Sequence, residues 1–254
     1  MPCRKNRLIP LIFTLSLSVL AGGCATMSAE DCTGADWQTL GLADGASGQT
    51  LAKADRRANA CAKHGISMNR QAYDQGRDQG LRQYCVAGTA YQLGVEGRSY
   101  NGVCAQHNET DFLAAYEKGR ELFAFTSAAS AAADQLASSQ QRFNKLDGEL
   151  DKYWNGYRDE GLSMDEHNTM VLELWSERKY LETEAIPYWR QADAVLSQAL
   201  SDYRDKVVAN DPGIGSRLRP PSFPGPEPWE GPTEADARAM LQEVFSTLAR
   251  ATGG

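Results

Sequence analysis

The sequence predicts a mainly α-helical protein: a small disulfide-stapled domain rich in Gly and Tyr, a long antiparallel helical hairpin of the coiled-coil kind, and a C-terminal helix. Three observations carry this. From Glu109 to Asn210 the only proline is Pro187, and Ala, Leu, Glu, Gln and Lys dominate, a composition that favours continuous helix. Within that stretch Leu136, Ser139, Phe143, Leu146, Leu150, Tyr153 and Tyr157 alternate spacings of 3 and 4, which makes a coiled-coil seam with Ser139 as its polar break. Ahead of it, eleven of the 23 glycines lie between Gly34 and Gly102 beside four cysteines, so this part is compact, turn-rich and built of short helices.

Residues 1–23 form the first element. Arg4, Lys5 and Arg7 precede the apolar run Leu8 to Leu20, the layout of a secretory signal. The run is shorter than the ~20 residues of a spanning helix. Leu20, Ala21, Gly22, Gly23 and Cys24 resemble the bacterial lipobox, with Ala21 in the place three before the Cys where Leu is usual. The resemblance implies cleavage before Cys24 and acylation of that residue by three chains, palmitate among them. Two or more chains hold a protein stably on a membrane at ~0.8 kcal/mol per buried methylene. Ala25, in place of an acidic residue, implies sorting to the outer membrane, facing the periplasm. Without residues 1–23 the 254-residue chain becomes 231 residues long, and its net charge moves from -7 to -10 as three bases leave. An acidic balance excludes a nucleic-acid binder, which needs a basic face.

Residues 24–108 are the second element. With Cys3 in the signal and Cys24 acylated, Cys32, Cys61, Cys85 and Cys104 remain, and in an oxidising compartment four cysteines predict two disulfides with three connectivities. Neighbours in sequence close loops most often, which favours Cys32 with Cys61 and Cys85 with Cys104. The pairs Cys61/His64 and Cys104/His107 have the CxxH spacing of a Cys2His2 zinc site as an alternative. Against it, His64 and Gly65 fit a helix C-terminus, where a cationic side chain and a left-handed cap belong. One helix is expected from about Gln49 to Lys63. A second, capped by Ser67, carries Tyr73, Gly76, Gly80, Leu81 and Tyr84 into Cys85. Gly76 and Gly80 lie one turn apart on one face. Each costs ~1 kcal/mol relative to Ala, so the pair predicts a closely packed second backbone. Tyr84 to Cys104 lacks a helical period and reads as loops with a short hairpin. Tyr-x-x-Gly recurs at Tyr73/Gly76, Tyr91/Gly94 and Tyr116/Gly119, but at unequal intervals, and does not read as a repeat. Clustered tyrosines of this kind bind sugars or aromatics, or more often serve as core residues whose hydroxyls reach the surface.

Cys32 with Trp37, Asp44-Gly45, Gly48, Cys61, Tyr73 to Cys85, Gly94, Gly97, Tyr100 to Cys104 and Phe112 to Gly119 together resemble a family of proteobacterial lipoproteins catalogued as a domain of unknown function. The likeness covers about residues 30–125. It implies an envelope lipoprotein and carries over no catalytic residue.

Residues 109–210 are the hairpin. The first arm breaks at Glu160, Gly161 and Leu162. Ser163 with Glu166 then starts the returning helix as a capping box. That helix presents Val171, Leu174, Leu181 and Ala185 and, after a kink at Pro187, Trp189, Ala192, Leu196, Ala199 and Tyr203. Arms of about 45 residues reach ~65 Å. Residues 25–108 balance eight acids with eight bases, whereas 109–210 hold 19 acids and 11 bases. Such an acidic face keeps a helix soluble or meets a basic partner. Asp165, Glu166 and His167 sit in a first helical turn, where acids favour the dipole, and read as structural.

Seven prolines fall in residues 212–232, so 211–232 read as an extended linker that runs along the surface, spaces two elements or fills a groove. Thr233 with Asp236 caps the last element, 233–254, whose Ala237, Met240, Leu241, Val244 and Leu248 form an apolar stripe that should dock on the hairpin. The functional reading is a non-enzymatic envelope lipoprotein, held on the membrane through Cys24 and contacting an envelope protein through its hairpin. No catalytic residue, cofactor or metal is assigned. The alternative is a periplasmic small-molecule or glycan binder, or an enzyme, using the Tyr/Gly-rich half.

Overall fold

A computed structural model describes residues 27–208 and 219–252. Its helices are α1 (Ala29–Thr33), α2 (Trp37–Ala46), α3 (Leu51–Ala62), α4 (Arg70–Tyr84), α5 (Ala87–Val95), α6 (Glu109–Trp154), α7 (Met164–Tyr180), a π-helical turn (Leu181–Ala185), α8 (Ile186–Val208) and α9 (Glu234–Thr252). No strand occurs among the described residues. Cys3, Cys24 and the rest of the signal, like linker residues 211–218, lie outside them. Packing divides between Gly80 and Leu81. The composition changes instead at 108/109. The Cys85–Cys104 loop belongs with α6, because Leu81, Tyr84, Cys85, Leu93 and Cys104 share one buried cluster with Phe112.

In the first unit, Ser28 and Asp31 form a capping box on α1, and Asp36 caps α2 by accepting from the Gln38 and Thr39 amides. The cap of α4 is Asn69, whose Oδ1 accepts from the Ala72 amide, and not the expected Ser67. Cys32 is bonded to Cys61 across 29 residues, and Trp37, Ala54 and Tyr73 pack around the bridge. The unit turns on a backbone-to-backbone crossing of α2 and α4. A methyl group placed on Gly76 would lie 1.9 Å from the Gln38 carbonyl oxygen, and one on Gly41 would lie 2.0 Å from that of Tyr73. One turn further along, a methyl group on Gly80 would lie 2.2 Å from the Leu42 carbonyl oxygen. This is the close second backbone that Gly76 and Gly80 predict.

The second unit opens with the same device. Cys85 is bonded to Cys104, and α5 crosses α6 where a methyl group on Gly94 would lie 2.3 Å from the Tyr116 carbonyl oxygen and one on Gly119 would lie 2.2 Å from that of Tyr91. Residues 87–95 are thus helix, not a hairpin, because two glycines and small neighbours let this short segment lie directly on α6.

Two of the three Tyr-x-x-Gly occurrences, Tyr73/Gly76 and Tyr116/Gly119, belong to an internal repeat that the unequal intervals hide, whereas Tyr91/Gly94 falls on Gln38/Gly41 of the first copy. Cys61, Ala62, His64, Ala72, Tyr73, Gly76 and Arg77 return 43 residues later as Cys104, Ala105, His107, Ala115, Tyr116, Gly119 and Arg120. Cys32, Leu40 and Gly41 return 53 residues later as Cys85, Leu93 and Gly94. Backbone geometry follows the repeat. Gly65 has φ +72°, and its counterpart Asn108 has φ 56°, the one positive value among the described non-glycine residues. Arg77 donates to the Gln49 carbonyl and Arg120 to that of Gly97, each securing the loop that leaves the crossed helix.

Beyond the crossing, α6 runs back against α7 and α8 as an antiparallel hairpin. Leu150 packs with Val171 and Trp175, Leu146 with Leu181, Ala185 and Ile186, Ala129 and Ala132 with Ala192 and Leu196, and Phe125 stacks on Tyr203. Ser163 and Glu166 make the expected capping box. The seam ends one turn earlier than its spacing predicts. Asn155 and Gly156, the latter with φ +91°, stop α6 at Trp154, so Tyr157 lies in the turn and not in the core. At Pro187 the chain accommodates the missing N–H and the bulk of the ring with the π-helical turn just before it.

Gly119→Ala should lower the urea midpoint, with a cost of about 1–3 kcal/mol for overpacking against a carbonyl that cannot retreat. Gly148→Ala, in the interior of α6 with open space before it, should raise stability by about 0.5–1 kcal/mol. Urea titration of the two variants checks both signs.

Candidate functional site

The cysteines singled out by sequence are consumed structurally. Cys61 and Cys104 sit in separate disulfides, so the CxxH pairs have no thiolate for zinc. Among the described residues no three His, Cys, Asp or Glu side chains converge as a metal site. The loops closed by the bridges, 29 and 19 residues long, correspond to roughly 3–4 kcal/mol each in chain-entropy terms. The tyrosines of this half are likewise committed. Tyr73 is fully buried and donates to Asp44 at 2.9 Å; Tyr100 donates to Glu109 at 2.6 Å while accepting from the Cys104 amide. Burial first, and then the Glu109 carboxylate, push the Tyr100 hydroxyl up to about 12.

Asp44 is the buried charge of the first unit. Arg57 grips it through Nε at 2.9 Å and Nη2 at 3.0 Å, and Tyr73 adds a third donor. Burial alone would raise this carboxyl. The hydrogen bonds from Arg57 and Tyr73 and the charge of Arg57 outweigh it and hold the group below its ordinary value. The network joins α2, α3 and α4 next to the glycine crossing, which marks it as a structural centre.

Two features of the hairpin are open to solvent. The first is a groove of about 980 Å³ beside the π-helical turn, walled by Tyr180, Thr183, Glu184 and Tyr188 on one side and by the proline-rich segment through Trp229 on the other. That segment lies on the hairpin as a strap. Phe223 packs beside Ala192 and Leu196, Tyr180 donates to the Glu227 carbonyl at 2.6 Å, and Tyr188 accepts from the Gly225 amide at 3.1 Å. The C-terminal helix docks as its stripe predicts at Met240, which packs near Leu150, Val171 and Trp175, while Glu243 accepts from the Trp175 indole at 3.1 Å. Leu241 is exposed, and the side chains of Val244 and Leu248 lie outside the described ones.

The second feature is the hairpin tip. Trp154, Tyr157, Leu162 and Met164 are 49%, 52%, 39% and 50% exposed. Asp159 braces the turn by accepting from Tyr153 and Tyr157 at 3.2 and 2.9 Å, and that bond raises the Tyr157 hydroxyl. His167 lies edge-on to Tyr153, and Glu166 is held below its ordinary value by the Ser163 hydroxyl and amide. Asp165 to His167 are thus turn and cap residues, as read from sequence. Sequence reasoning missed the tip because it carried the seam through Tyr157; the Asn155-Gly156 pair was the signal that ends the helix sooner.

These parts define a class: a mainly helical protein in which two disulfide-stapled, glycine-crossed modules lead into a long hairpin. Residues 36–121 match the model of a family described as a protein of unknown function (DUF2799). No curated protein and no solved structure matches the chain. The matched segment begins at the cap of α2 and ends just past Gly119, so it takes in both glycine crossings.

The roles of Asp44 and Tyr188 are open to direct measurement. Asp44, lowered in the folded state, contributes stability above its unfolded pKa near 3.8 and loses it as pH falls through the folded value. The stability gap between the native chain and Asp44→Asn should therefore be constant above about pH 5 and close as pH drops below about 4, which denaturation at a series of pH values measures. Tyr188→Phe removes the acceptor of the Gly225 amide, and hydrogen exchange should speed up at Gly225 while α6 stays protected.

Proposed function

We propose that this chain is a lipid-anchored protein of a Gram-negative cell envelope, held on the outer membrane through acylated Cys24 and acting as a protein-interaction module, not as an enzyme. The observation that carries the interaction reading is the hairpin: its apolar seam is spent on its own arms, yet its tip presents four large apolar side chains to solvent. Monomeric surfaces scatter such residues singly, and a cluster marks a contact site. The two disulfides support an oxidising compartment, since such bonds are rare where thiols are kept reduced. The charged start, apolar run and Cys24 support the anchor. The acidic excess of residues 109–210 supports a basic partner.

Cys24→Ser tests the anchor. In fractionated cells the native chain should be in the membrane fraction and take up a palmitate analogue, and the variant should be soluble and unlabelled. Membrane retention of the variant would contradict the anchor.

A further inference from the structure

We propose that the hairpin tip, Trp154, Tyr157, Leu162 and Met164, docks into a protein partner whose apolar pocket is bordered by Lys or Arg; this rests on the reading of the chain as an interaction module. The other exposed large apolar residues, such as Leu51, Val86 and Val195, are dispersed along the chain, whereas the tip places four within eleven residues at the turn of one hairpin. An aromatic centre with a charged rim is the composition of an interface hot spot.

The rim says which occupant fits. Residues 151–167 hold five acids and two bases. Asp159 is committed to two tyrosines and Glu166 to its cap; Asp151, Glu160 and Asp165, like the bases Lys152 and Arg158, have no ion-pair partner among the described residues, and with Arg158 lying on Met164 the segment keeps a net charge of -3. An interfacial membrane helix carries Lys and Arg beside its aromatics, and anionic headgroups repel the charge found here. A basic protein surface is attracted by it. A hollow of about 340 Å³ continues from the tip beside Trp154, with Asp147, Asp151 and Arg178 in its wall. Arg178 is paired with Asp147 and Trp175 is buried, so a long basic side chain entering the hollow has its stem along Trp154 and its charge at Asp151.

The test uses the full-length chain in cells, with p-benzoylphenylalanine placed in turn at Tyr157, Met164 and, as a groove control, Thr183. Carbodiimide, which joins carboxylates to lysine amines in contact, is applied in parallel. The expected result is a protein adduct from Tyr157 and Met164 and a carbodiimide link from Asp151 or Glu160 to a partner lysine. Yield should fall roughly thirtyfold in Trp154→Ala and also in Glu160→Lys, a loop charge reversal that leaves the helices untouched. Lipid adducts alone from the tip, or protein adducts indifferent to both substitutions, would overturn the proposal. Adducts from Thr183 only would overturn the tip while leaving an interaction module, and no protein adduct at any position would overturn both readings.

Discussion

The architecture depends on helices that touch through their backbones. At Gly41/Gly76 and again at Gly94/Gly119, each glycine faces the carbonyl three residues before its partner and the amide one residue after it, so each pair is reciprocal. Ordinary helix pairs stand 8–10 Å apart because side chains fill the space between them. Here the side chains are absent and the main chains supply the contact surface, which makes the crossing intolerant of even one methyl group. Everything around it is arranged by that proximity. Each disulfide joins the segment just before one crossed helix to the segment before the other, Tyr73 buries its ring at the first crossing, and Arg77 and Arg120 fasten the carbonyls of the loops that follow.

The two copies solve one geometric problem with different lengths of chain. Twenty residues separate Gly41 from Cys61 and ten separate Gly94 from Cys104. The first copy uses the extra residues for another turn of α2 and for α3, which brings Arg57 to Asp44. With α2 longer, the crossing continues to Gly80. In the second copy the position corresponding to Gly80 is Phe123, whose ring lies beneath Gly97 where the shorter α5 has ended. A glycine is kept where a backbone passes and an aromatic ring fills the place where none does.

That difference in length explains what was legible in the sequence. The hairpin, its capping box at Ser163, the close approach at Gly76 and Gly80 and the favoured pairing of cysteines all follow from local spacing, and the structure has them. The repeat was hidden because ten residues are missing between its recognisable positions. Helix α5 was hidden because its contacts lie on α6, so nothing in its own periodicity reports them. The tip was hidden by a seam whose 3-4 spacing runs on past the point where Gly156 turns the chain. Spacing records which residues can share a face; the left-handed turn decides where the face stops.

Charge divides the chain as well: residues 25–108 balance acids with bases, whereas the long arms of 109–210 hold the acidic excess, which keeps extended helices solvated. The reciprocal glycine contact underlies both modules, and isotope-filtered NMR of the folded chain measures it directly. Strong cross-peaks between the Hα protons of Gly41 and Gly76, and of Gly94 and Gly119, are the predicted result. Their absence in a spectrum that retains the helical amide pattern would contradict the crossing and with it the repeat.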